Sequence, residues 1–202
     1  MKIRKSFFAV AVMILIVGAV LSGCASNDTS AAGNYKTIAP PENGWTDELI
    51  NSVLYLDGKP FSMPVSVDEL EGYVWDKENE DEHYIDKDNS DKQVITSNLI
   101  DQKNKLLIAS ADQNGMVCQI GVHSDRKDYS YCDLVLNGIS IGSTYDELVN
   151  ALGQPDDGER ESTVVSYTFS DSDDICISIM LIEKGDEKIA NLIKITNGNY
   201  YN

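Results

Sequence analysis

Asn137 to Asp156 constrains the fold of this chain more than any other stretch, because it writes a helix with both ends marked. Ser143 or Thr144 can cap the first turn, with Asp146 or Glu147 three residues on as the capping-box acid. Tyr145, Leu148, Val149 and Leu152 recur at i, i+3, i+4 and i+7, so one side of the helix faces a core. Gly153 stands where a left-handed C-terminal residue is wanted, and Pro155 keeps the helix from resuming. Just upstream, Leu134 to Ile141 alternates around Gly138 like a strand with a turn.

A weaker copy of this unit lies earlier. Leu54-Tyr-Leu-Asp-Gly58 followed by Ser66-Val-Asp-Glu-Leu70 has the order of Leu134-Val-Leu-Asn-Gly138 followed by Ser143-Thr-Tyr-Asp-Glu-Leu148. The first copy has more residues between turn and helix, predicts a helix of only one or two turns, and lacks the Leu-Gly-x-Pro exit. Three strand candidates follow the first copy, Gln93 to Ile100, Lys105 to Ala111 and Met116 to His123, with Asn114-Gly115 as a hairpin signal. Three more follow the second: Ser162 to Phe169, Ile175 to Glu183 and Ile189 to Thr196. The expected fold is therefore α+β, in two similar halves, each a short helix packed on an antiparallel meander sheet. Residues 45–125 form the first and 126–202 the second, with Ser124 to Tyr131 as a polar joint.

Other segments read more plainly. Thr46 to Asn51 predicts one helical turn capped by Thr46. Val53 to Leu56 and Phe61 to Val65 predict a hairpin around Asp57-Gly58, kept at an edge by Pro60 and Pro64. Asp76 to Lys92 is dense in charge and reads as a solvated loop. Its acids do not fall at the intervals of a calcium loop, which wants Gly at the sixth position and Glu at the twelfth.

The amino terminus gives an address. Lys2, Arg4 and Lys5 precede an uncharged apolar run from Phe7 to Leu21, too short for a comfortable membrane span and of the kind found in secretory leaders. Leu21-Ser22-Gly23-Cys24 follows. This ending resembles the lipobox of bacterial lipoproteins at every position. The resemblance implies that residues 1–23 are a signal peptide, that Cys24 carries a diacylglyceryl thioether, and that the new amino terminus is acylated. Such an anchor holds a protein stably at the outer face of the cell membrane, as in Gram-positive bacteria. Residues 24–44, rich in Ser, Asn, Ala, Gly and Pro, then read as a flexible linker.

Formal net charge is −17, and loss of Lys2, Arg4 and Lys5 leaves 13 Lys and Arg against 33 Asp and Glu, or −20. An acidic domain of this kind argues against nucleic acid and against lying flat on anionic lipid. Beyond Cys24 the cysteines are Cys118, Cys132 and Cys176, all in apolar, strand-like settings. An oxidising compartment permits one bridge, and three pairings are open. Cys118 to Cys132 would link the end of one half to the start of the next; three reduced buried thiols fit equally. No Cys or His spacing suggests a metal, and no cofactor motif is present.

Ile139-Ser-Ile-Gly142-Ser-Thr144-Tyr-Asp-Glu147-Leu148, continued by Leu152-Gly153-Gln-Pro155, resembles a signature of the outer-membrane assembly lipoprotein and β-lactamase inhibitor protein superfamily. That signature reads Gly-x-(Ser/Thr)-x-x-Glu-(Val/Leu)-x-x-x-(Leu/Phe)-Gly-x-Pro. The first copy, with Asp68-Glu69-Leu70-Glu71-Gly72, is similar to the first half of many small lipoproteins of Gram-positive bacteria. The resemblance implies helices on one face of an antiparallel sheet whose other face binds a partner. It transfers no catalytic role.

The residues themselves offer little for catalysis. His83 and His123 are the only histidines, and no Gly-x-Ser-x-Gly elbow occurs. His123 ends a strand with Asp125 nearby, which reads as a surface histidine. Tyr129 and Tyr131 at the joint, with Tyr167 and Phe169 alternating on a strand, are the candidate contact residues, since interface cores favour such rings. The expected function is a lipid-anchored extracytoplasmic binding module without catalytic activity, meeting an extracytoplasmic protein through its sheet face. An inhibitor or immunity-like protein against a secreted enzyme and a hydrolase with an unrecognised carboxylate site are the alternatives. Lipidation is checked directly: Cys24→Ala is expected to abolish incorporation of labelled palmitate and to shift the protein from the membrane fraction to the soluble one.

Overall fold

The computed structural model describes residues 35–84, 93–125, 129–168 and 175–197. Cys24, the leader and Phe169 lie outside these residues. Long runs of alternating apolar residues set the architecture, because each must turn one side to a common core. They form β6 (Gln93–Asp101), β7 (Lys105–Asp112), β8 (Met116–His123), β11 (Val164–Thr168), β12 (Ile175–Lys184) and β13 (Glu187–Asn197). Shorter strands are β1 (Leu54–Leu56), β2 (Lys59–Pro60), β3 (Val65–Ser66), β4 (Tyr73–Trp75), β5 (Asp81–Tyr84), β9 (Ser130–Tyr131) and β10 (Leu134–Leu136). Two α-helices, α1 (Asp47–Ser52) and α2 (Tyr145–Leu152), complete the set. The fold is mixed, with few helices and a core dominated by antiparallel sheet.

The main path through the large sheet runs β11-β12-β13-β8-β7-β6-β4, with β3 also on β8, β5 on β6 and β9 on β7. The meander β6-β7-β8 thus meets the meander β11-β12-β13 through their third strands, from Leu192 opposite His123 to Thr196 opposite Gln119. A separate small sheet has the order β10-β1-β2. In it Leu54, Tyr55 and Leu56 lie opposite Leu136, Val135 and Leu134. Both of these strands end in a two-residue turn with positive φ at each position: Asp57 at 48° and Gly58 at 78°, Asn137 at 48° and Gly138 at 86°. That is the hairpin turn whose twist suits the flanking strands, and Asx-Gly fills it at least cost.

Helix α2 forms as its sequence demands. Thr144 accepts from the Glu147 amide while the Glu147 carboxylate accepts from the Thr144 amide, and Gly153 ends the helix with φ of 93°. Tyr145, Leu148 and Leu152 are buried. They join a core made by the inward residues of the sheet, among them Leu107, Ile120, Ile177, Ile179, Ile193 and Ile195. The Arg160 guanidinium lies 5.1 Å from the Tyr145 ring centroid and pairs with Asp146, closing the helix's outer side.

Several expectations are corrected by the backbone. The helix foreseen at Ser66 to Leu70 is a single 3-10 turn, Val67–Glu69, capped by Ser66. The chain has only Leu70 to Gly72 in which to return before β4 must pair with β6, which leaves no room for an α-helix. The hairpin closes through Lys59–Pro60 on β1, with the Phe61 amide donating to the Leu54 carbonyl at 2.9 Å, but it does not run on to Val65. Pro60 and Pro64 have no amide hydrogen to give a ladder, and β3 pairs with β8 instead. Between them the Asn51 side chain pairs with the Met63 main chain, donating to its carbonyl and accepting from its amide at 3.1 and 3.0 Å. Part of the acidic segment is not loop: Lys77–Asn79 is a 3-10 turn and β5 pairs with β6. Edge pairing of this kind uses main-chain groups and needs no apolar alternation. The folded part also begins before Trp45, as Tyr35 to Pro41 is held against the small sheet.

Two substitutions separate cap from core. Thr144→Ala should cost about 1 kcal/mol by loss of the capping box. Leu148→Ala empties a fully buried position and should cost roughly 2–5 kcal/mol. Urea titration of both variants measures the difference.

Candidate functional site

The polar centre of the molecule grows from the first Asx-Gly turn. The Asp57 amide donates to the Asp133 carbonyl at 2.9 Å, which registers the turn against the residue preceding β10. This places the Asp57 carboxylate among groups from four elements. Oδ1 accepts from Lys105 Nζ at 2.5 Å and from the Asp133 amide at 3.0 Å. Oδ2 accepts from the Tyr73 hydroxyl at 2.5 Å. Cys132 Sγ lies 3.1 Å from the same hydroxyl oxygen. Asp133 in turn accepts from the Tyr35 hydroxyl at 2.5 Å.

Electrostatics follows from these contacts. Partial burial pushes the Asp57 carboxyl up, but the hydrogen bonds from Lys105, Tyr73 and the Asp133 amide outweigh it and hold the group below the usual carboxylate range. Burial pulls the Lys105 ammonium down, and the Asp57 carboxylate more than offsets this, so its pKa ends raised. Burial, then the bond to Asp57, drives the Tyr73 phenol far up. Burial pushes the Cys132 thiol up to about 12, so it stays protonated and is a poor nucleophile. The bond to Asp133 raises Tyr35 to about 12. Asp57 and Lys105 are thus an ion pair with both charges held in place, and Tyr73 is a hydrogen-bond donor locked in its neutral form.

Beside this cluster lies a cavity of about 560 Å³, open to solvent. Leu56, Pro60, Phe61 and Leu70 supply its apolar lining. Around them stand Asp57, Glu69, Glu71 and Asp101 against Lys59 and Lys103, so carboxylates are in excess. Lys59 and Glu71 approach to 4.0 Å but are largely exposed, and such a pair contributes little. An apolar floor with convergent polar groups is the usual form of a binding site.

Of the residues singled out in the sequence, Cys132 belongs to this cluster and Tyr131 precedes it, on the strand that pairs with Lys105 and Leu106, while Tyr167 lies apart. Tyr167 is a core residue, 2% exposed, and so is not a contact residue. Its strand turns Val165 and Tyr167 inward and leaves Val164 and Thr168 outside. Tyr131 is 42% exposed on β9, which pairs with the start of β7, and β8, β13 and β12 separate β7 from β11. Tyr129 is half-buried. Phe169 lies outside the described residues. A polar row runs across β6, β7, β8 and β13 around the buried Ser110: the Thr96 and Ser110 hydroxyls lie 2.7 Å apart, with Gln119 donating to Ser110 and accepting from Thr196.

Cys118, Cys132 and Cys176 stand as thiols, not as disulfides. The Cys118 thiol donates to the Ser110 carbonyl at 3.3 Å, while Cys132 sits against Tyr73, so the two face different partners. At His123 the buried Asn191 intervenes: its amide nitrogen lies 3.2 Å from His123 Nε2 and donates to Asp125 at 3.1 Å. The Ser124 hydroxyl bonds to Asn191 Oδ1. His83 contributes its backbone to β5. Among the described residues no group of three or more His, Cys, Asp or Glu is placed to hold a metal ion, and no helix is long and apolar enough to cross a membrane. The chain matches no protein-family model, no curated protein and no solved structure.

Asp57 was visible in the sequence only as half of a tight turn. Tyr73 and Lys105 carried no signal, being separated from it by 16 and 48 residues. The one available clue was the recurrence of Asx-Gly, which forms a turn with positive φ at both places. Because the folded Asp57 is held below its unfolded pKa, its stabilisation is complete above that unfolded value and is lost as pH falls through the folded one. Asp57→Asn should therefore destabilise by roughly 1–3 kcal/mol at pH 7, leaving Lys105 without its counter-ion. The gap between wild type and variant should shrink below about pH 4, as urea titrations at both pH values will measure.

Proposed function

We propose that this chain is a lipid-anchored, extracytoplasmic binding module without catalytic activity, and that it engages its partner at the groove beside Asp57. The observation that carries this reading is the groove itself: about 560 Å³, apolar at its base and rimmed by charge, next to an ion pair fixed on both sides. The Asp57 cluster favours binding over turnover because Asp57 stays a carboxylate while Lys105, Tyr73 and Cys132 keep their protons. Leu21-Ser22-Gly23-Cys24 supports the anchor and the outer face of the membrane.

In this reading the domain comprises two copies of one α+β unit. Three pairings support it. β1 lies antiparallel to β10, and β8 to β13, so corresponding strands meet each other. The Asp57 amide bonds to the carbonyl of Asp133, before β10, and the Asn137 amide to the carbonyl of Val53, before β1, both at 2.9 Å. That reciprocity is what a two-fold relation between duplicated units requires.

The test is capture from the native envelope with the full lipidated chain in detergent, comparing wild type with Glu69→Lys/Glu71→Lys. The expected result is a partner retained by wild type and lost by the variant. Hydrolysis of an envelope component by the purified chain would overturn the reading.

A further inference from the structure

The groove at Asp57 has a counterpart at Asn137, and the counterpart is filled by the protein's own chain. There the Asn137 side chain grips the main chain of Ile38: Oδ1 accepts its amide at 2.8 Å and Nδ2 donates to its carbonyl at 2.9 Å. The same Nδ2 reaches the Ala151 carbonyl at 2.7 Å, near the end of α2. Thr37 passes so close to Gly138 that a Cβ built there would meet its methyl at 3.2 Å. An extended segment, Thr37-Ile38, is thus seated between an Asx-Gly turn and a helix, with a cavity of about 370 Å³ beside it.

At the first turn the same walls recur. Asp57 stands for Asn137, and Glu69 to Gly72, at and after the end of the 3-10 turn, stand for Asn150 and Ala151 of α2. What differs is that this groove is open. It also differs in charge, since Glu69, Glu71 and Asp101 line it where the other has Glu147. A carboxylate has about four lone-pair sites. Asp57 uses two on Oδ1 and one on Oδ2, so Oδ2 can accept one more hydrogen bond.

We propose that the Asp57 groove binds an extended peptide segment of a partner protein, one with an aliphatic residue beside a lysine or arginine. The aliphatic side chain sits on Phe61 and Leu70, a main-chain amide donates to Asp57 Oδ2, and the basic group meets Glu69 and Glu71. This rests on the binding-module reading and names its ligand class. The strap is the internal precedent: Lys36 stands two residues before Ile38 and donates to the Ser52 hydroxyl at 3.2 Å.

The probe is a fluorescein-labelled hexapeptide with the strap's own sequence, Tyr-Lys-Thr-Ile-Ala-Pro, titrated into the full chain in detergent micelles and read by polarisation. Saturable binding is expected, weakened about tenfold or more in Glu69→Lys/Glu71→Lys and by a peptide carrying Glu in place of its lysine. Both substituted positions are exposed, so the variant should fold, as circular dichroism will verify. Absence of saturation, or saturation unchanged by the charge reversal, would overturn the proposal. So would wild-type dimers dissolved by the same substitutions, which would assign the groove to a second copy of this chain. Envelope capture that persists while the peptide fails to bind defeats this inference alone; loss of both defeats the binding reading as well.

Discussion

The pairing of β8 with β13 is the interaction on which the rest of the structure depends. It turns two three-stranded meanders into one continuous sheet, and the inward residues of both then share a single core. Each meander turns apolar residues inward, and these need cover from a second layer. Joined, they let Ile120 and Ile195 lie opposite each other on neighbouring strands, with α2 packed over β13. The small sheet of β10, β1 and β2 then ties the entry strands together, and the Asx-Gly turns are carried to fixed positions by that tie.

Local signals in the chain foretold the elements whose causes are local. The capping box at Thr144 and Glu147, the stop at Gly153, and the alternation of β8 and β12 are each decided within about ten residues, and each forms close to where the pattern places it. Elements decided by distant partners were misread. Val67–Glu69 has a cap and acids suited to a helix, yet β6 claims the chain a few residues later. Tyr167 shows the same limit on a strand: period-two alternation divides residues into two faces but does not say which one meets the core. The Asp57 cluster was hidden for a related reason. Its members come from a turn, the start of β4 and the start of β7, and only sheet registration brings them within 2.5 Å.

Asp57 and Asn137, each the first residue of an Asx-Gly turn with positive φ, serve different purposes through their different side chains. The amide of Asn137 offers a donor and an acceptor, which matches a peptide unit, so it secures Ile38 main chain. The carboxylate of Asp57 offers acceptors only, so it collects donors, among them the Lys105 ammonium and the Tyr73 hydroxyl. Asn51, paired with Met63 in the same two-bond manner as Asn137 with Ile38, shows that side-chain amides repeatedly act here as substitute strand partners. They do so where prolines or chain direction deny the main chain a ladder.

The docking of Tyr35 also sets a length. With lipid on Cys24, as proposed, ten residues lie between the anchor and Tyr35, the first of the described residues to be held, a reach of at most about 36–40 Å over the eleven intervening links. A tether freed as far as Trp45 would reach roughly 70–75 Å. Under that proposal the shorter leash would confine the domain to a thin layer above the bilayer. A membrane-bound partner would then meet the groove at a high effective concentration, whereas a freely diffusing one would gain nothing from the anchor.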